Sequence, residues 1–100
     1  MNNFDALIKA YETDVEDPRG LGRFEVLNML TNRDVLEENK HKLTTLQSAR
    51  ILIADEKLML MKEIVITECG GKTEFVKLRQ HLPLQSSWWW FLEQIPLEQY

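Results

Sequence analysis

The sequence predicts an all-α fold, and three observations carry that expectation. Apolar residues recur at helical spacing through most of the chain. The segments that carry them are separated by clusters of Gly and Pro. A capping box, Thr44 followed by Gln47, marks one helix start. The expected architecture is a single domain over residues 1–100, a compact bundle of about four to six helices around a central helix at about 45–66.

The first element is a helix. Phe4, Leu7, Ile8, Tyr11 and Val15 follow the i, i+3, i+4, i+7, i+11 pattern. Asn2 or Asn3 can cap it, and Asp5 sits in the first turn, where the dipole favours an acid. "EDPRGLG" ends it, because Pro18 disfavours helical geometry at Asp17 and two glycines follow. The second element begins near Leu21, with Phe24, Leu27, Thr31 and Val35 as its stripe and Leu30 beside it. Thr31 with Asp34 three residues on reads as a second helix start, so this segment is one helix or two.

The third element starts at the capping box and runs from Thr45 to about Ile66. Leu46, Ala49, Ile53, Leu60 and Ile64 make one strip, and Ile51, Ala54, Leu58, Met61 and Val65 a second beside it. A helix so widely apolar is expected to be buried on more than one side. Asp55, Glu56, Lys62 and Glu63 occupy much of the remaining face. "CGG" at 69–71 stops it, and "KTEFVKLRQHL" reads as a short helix capped by Thr73. The α+β alternative places a β-hairpin at 63–78, since "EIVITE" is β-branched and "TEFVKL" alternates. Ser86 or Ser87 caps the last helix, which ends before Pro96.

That last helix holds Trp88, Trp89 and Trp90 in a row. An α-helix turns about 100° per residue, so three adjacent rings cannot share one core. Trp88, Phe91, Leu92 and Ile95 form the docking face. Trp89 lies at its edge, and Trp90 lies on the side of Glu93 and Gln94. Trp90 is therefore expected to leave the local core. It either packs beneath Leu97 and Tyr100 or meets a partner, and Trp is enriched at interface hot spots. The expected partner-binding residues are Trp89, Trp90 and Tyr100.

Composition narrows the function classes. The net charge is −4. Asp5, Glu12, Asp14, Glu16 and Asp17 against Lys9 account for all of it, and the remaining acids and bases balance. Twelve Lys and Arg against sixteen Asp and Glu leave no basic face for nucleic acid. No apolar run reaches the roughly 20 residues of a membrane span, and no signal peptide is recognisable. One cysteine, Cys69, excludes an internal disulfide and suits a reducing cytoplasm.

No catalytic motif is present. His41 and His81 lack partners at metal-ligand spacing, so neither a metal nor a cofactor is expected. Asp55 and Glu56 are adjacent, so they point about 100° apart and form no acid–base pair. Both are expected to be solvated charge on the exposed side of the third element, but Asp55 is flanked by Leu52 and Met59, and if those two are buried it needs a partner such as Arg50 or Lys62. The basic cluster Lys72, Lys77, Arg79 and His81 is expected to pair with the acidic first helix or to face solvent. The functional expectation is a non-enzymatic protein-interaction or regulatory module of bacterial type, acting on another protein or a second copy through an aromatic C-terminal surface. The alternative is a small enzyme or ligand binder with a pocket near Asp55, Cys69 and His81.

Overall fold

The computed structural model describes residues 3–82 and 86–96. Among them every regular element is helical: α1 Asp5–Glu16, α2 Gly22–Glu38, a 3-10 turn Lys40–Lys42, α3 Thr45–Leu60, α4 Lys62–Glu68, α5 Lys72–Gln80 and a 3-10 segment Trp88–Gln94. The all-α expectation holds. The hairpin alternative fails, because the residues on both sides of the glycine pair are helical.

Helix α1 buries Ile8, Tyr11 and Val15, the i, i+3, i+7 core of its stripe. It packs chiefly along α3 and also against α2. Its acids reach across to α3. Arg50 donates to Glu12 at 2.6 and 3.0 Å, Lys57 pairs with Glu16, and the Gln47 amide donates to Asp5 at 2.8 Å. The acidic first helix is thus matched by α3, not by the Lys72–His81 cluster.

Helix α2 is continuous through Thr31, so the start signal there is unused. Its buried residues are Val26, Met29, Leu30, Arg33 and Leu36. The expected stripe was displaced: Phe24 and Thr31 face solvent. The chain then turns through the 3-10 residues, and Thr44 caps α3 with both bonds of the capping box. The Gln47 N–H donates to Thr44 Oγ1 at 3.1 Å, and the Thr44 N–H donates to Gln47 Oε1 at 3.0 Å.

The expected central helix is two helices with a break at Met61, whose φ, ψ of −99°, 10° lies outside the helical region. Only one of its two apolar strips is buried. Ile51, Ala54 and Leu58 enter the core, together with the polar Gln47 and Asp55. The other strip faces solvent, which corrects the expectation of burial on several sides. Gly71, at φ 109°, turns the chain from α4 into α5 in a conformation that side-chain-bearing residues rarely adopt.

Candidate functional site

The tryptophans depart from expectation. Residues 88–94 form a 3-10 segment with a non-helical break at Phe91, not an α-helix. A 3-10 helix repeats every three residues, so Trp89 and Leu92 fall on one face and both are buried. Trp90 is only 1% exposed and Trp89 2%. The expected display of these two rings to a partner is therefore corrected: both belong to this chain's own core. The residues assigned to docking do dock: Leu92 is buried, and Trp88, Phe91 and Ile95 are partly buried against the core. Tyr100, the third expected contact, lies outside the described residues.

An acid and a base on different helices explain the burial. Asp34 on α2 accepts the Trp89 indole N–H at 2.8 Å and the Trp90 indole N–H at 2.9 and 3.1 Å. On the other side, Arg79 of α5 donates to the Trp90 carbonyl and to Glu93, both at 2.7 Å, while its guanidinium lies 4.2 Å from the Phe91 ring centre. Every polar atom that the ring pair carries inward finds a partner, so burial costs little.

One residue along, Arg33 crosses the gap between α2 and α3. Its Nε and Nη2 donate to the two Asp55 oxygens at 2.9 and 3.0 Å, a bidentate fork. Its Nη1 donates to Glu37 at 3.2 Å, and Glu37 in turn accepts from Lys40. The Trp89 ring lies 4.2 Å from the guanidinium carbon. The Tyr11 hydroxyl donates to Asp55 at 2.6 Å. The expectation of solvated charge at Asp55 is corrected: the carboxylate is buried, and its partners are Arg33 and Tyr11, while Arg50 is engaged by Glu12. Burial and the Asp55 charge hold the Tyr11 phenol far above its ordinary value. Burial opposes the Arg33 charge, and Asp55 more than offsets it. With both Asp55 oxygens committed, the network is a structural clamp.

The residues of the expected pocket are separated. Asp55 lines the gap between α2 and α3, whereas His81 lines a different depression with Arg23, Phe24, Glu74, Lys77 and Leu78. Cys69 is buried, and burial pushes its thiol up to about 11, away from the thiolate form that reacts. Among the described residues no group of three His, Cys, Asp or Glu side chains could hold a metal.

What the surface does present is apolar. Leu46, Leu52, Ile53 and Leu60, all on α3, are 71, 64, 57 and 62% exposed. With the exposed Ala49 they occupy the solvent side of one helix, and Leu46, Ala49, Ile53 and Leu60 fall within about 60° on the helical wheel. Beside Leu52 the surface dips twice between α3 and its neighbours. One depression of about 160 Å³ is lined by Leu36, Leu43, Ile51 and Leu52 with Arg33, Glu37 and Lys40 at its polar edge. The other, about 170 Å³, lies between Leu52, Met59 and Trp88, with Glu56 on its rim. Sequence reasoning had put Leu46, Ile53 and Leu60 in the core. Their exposure was not readable, since both strips of α3 are equally apolar.

Among the described residues no helix is long and apolar enough to cross a membrane. Comparison of the chain with protein-family models, with curated proteins and with solved structures finds no match.

Proposed function

We propose that this chain is a non-enzymatic protein-interaction module that meets its partner on the solvent side of α3. The observation that carries this is the exposure of Leu46, Leu52, Ile53 and Leu60 together on one helix. Single exposed apolar residues are ordinary; several on the solvent side of one helix, with Leu46, Ala49, Ile53 and Leu60 within about 60° and Leu52 flanking them, mark a contact surface. The buried polar groups support the same reading, since Asp55, Arg33 and Asp34 are spent on holding the fold. The lone, buried Cys69 fits a cytoplasmic setting. An acidic chain whose bases are largely paired does not suit nucleic acid.

The test is affinity capture from native lysate with three baits: wild type, Ile53→Glu and Phe24→Glu. Phe24 is an exposed apolar residue away from α3, so its variant controls for surface charge. A protein held by wild type and Phe24→Glu but lost by Ile53→Glu supports the α3 surface. A partner that survives Ile53→Glu, with all baits folded, places the contact elsewhere and overturns the reading.

A further inference from the structure

The two depressions beside Leu52 are related by one turn of α3. The first takes Ser48, Ile51, Leu52 and Asp55 from that helix, and the second takes Leu52, Asp55, Glu56 and Met59. Each residue of the first set recurs four positions on in the second. Along an α-helix four residues rise about 6 Å, which is also the separation of side chains at i and i+4 on one helix face. Each depression has the volume of a cavity that accepts a benzene-sized group, about 150 Å³. Two apolar sockets at this spacing, beside a helix and open to solvent, match the anchors of a second helix lying along the first.

The charges around the groove select among such helices. Arg33 and Lys40 stand against Glu37, Asp55 and Glu56, which leaves one negative charge. Arg33 and Asp55 neutralise one another, and so do Lys40 and Glu37. Glu56 is exposed and has no ion-pair partner among the described residues. A cation on the incoming helix, beside the anchor in the Met59–Trp88 socket, would meet Glu56. We infer that the groove beside Leu52 binds a basic amphipathic helix of another protein, through large apolar side chains at i and i+4 seated on either side of Leu52. This rests on the interaction reading above, with Leu52 as the residue that the groove shares with the exposed set, and names the partner's chemistry.

The experiment is selection from a displayed library of helical peptides on immobilised full-length protein. Binders are then measured against wild type, Leu52→Glu, Glu56→Lys and Ile53→Glu, and each variant is checked for an unchanged melting transition. The expected consensus has large apolar residues four apart and Lys or Arg beside them. Leu52→Glu should weaken binding at least tenfold, and Glu56→Lys should weaken basic binders severalfold. Selected peptides that lack the spacing, that are acidic, or that bind Leu52→Glu as well as wild type overturn this inference. If such peptides are still lost on Ile53→Glu, the α3 surface survives as a contact of different chemistry. An empty selection with a wild-type dimer that Ile53→Glu dissociates makes a second copy the occupant and overturns the inference. An empty selection with a monomer overturns both.

Discussion

Asp34 holds Trp90 by a forked contact: its two carboxylate oxygens lie 2.9 and 3.1 Å from the one indole nitrogen. The same carboxylate takes the Trp89 N–H, so a single side chain on α2 fixes both rings of the C-terminal segment over a sequence distance of more than fifty residues. Tertiary pairing of this kind, not local helix periodicity, decides where those rings go.

Removing the acceptor should loosen the segment. Asp34→Ala leaves two buried indole N–H groups without a partner, and each such loss costs about 1–3 kcal/mol. Trp90→Ala should cost more, about 3–5 kcal/mol, because it empties a core site. Urea unfolding followed by circular dichroism measures both. A Trp90→Ala variant as stable as wild type would show that the ring is not part of the core.

The Arg33–Asp55 pair makes a second prediction. Asp55→Ala leaves Nε and Nη2 of a buried guanidinium and the Tyr11 hydroxyl without their acceptor, with Glu37 still paired to Arg33, and should destabilise by about 3 kcal/mol. Replacing the group as a whole should cost far less. In the triple variant Arg33→Met, Asp55→Leu, Tyr11→Phe no buried charge or hydroxyl is left unpaired, and Glu37 is exposed enough to be hydrated. The triple is expected to unfold close to wild type, and well above Asp55→Ala. A triple variant less stable than the single would mean that the pair itself, rather than its balance, holds α2 to α3.

The position of this pair explains what could and could not be read in advance. Helix boundaries were legible wherever a local bond or a forbidden conformation sets them. The Thr44–Gln47 capping box, Pro18 and the Gly70–Gly71 pair act within a few residues, and all stand where the sequence put them. The buried face of α2 was not legible, because its core positions 26, 29, 30, 33 and 36 include an arginine. Pattern reading scores Arg33 as polar and shifts the stripe to Phe24, Leu27, Thr31 and Val35. On α3 the buried strip carries Gln47 and Asp55, so hydrophobicity alone gave no reason to prefer it over the fully apolar strip that faces solvent. In both helices the deciding interaction spans two elements: Arg33 with Asp55, and Gln47 with Asp5. The tryptophan segment adds to its pairing with Asp34 a 3-10 geometry, which changes which residues share a face.

The exposed strip gives a third prediction, in which association is lost and stability is kept. Ile53→Glu and Leu60→Lys place charge on residues that are more than half exposed, so stability should change by no more than about 0.5 kcal/mol. Any association should fall sharply. Thermal unfolding and sedimentation of the same samples separate the two effects. A drop of several kcal/mol would mean that the strip is covered in the folded protein.

Tyr11 supplies the pH dependence. Its phenol is buried against the Asp55 carboxylate, which it serves as a donor, and this holds its folded pKa above the ordinary value of about 10. In the unfolded chain the phenol ionises near that value. The stability contributed by keeping it neutral is thus fully present below pH about 10. Above that, the unfolded state sheds the proton while the folded state retains it, so each further pH unit favours unfolding by up to about 1.4 kcal/mol. Urea midpoints taken from pH 8 to 11 should fall more steeply for wild type than for Tyr11→Phe, which carries no phenol to titrate there. Parallel slopes would show that the Tyr11 proton is no better held in the folded state than in the unfolded one, and that the hydroxyl is not committed to Asp55.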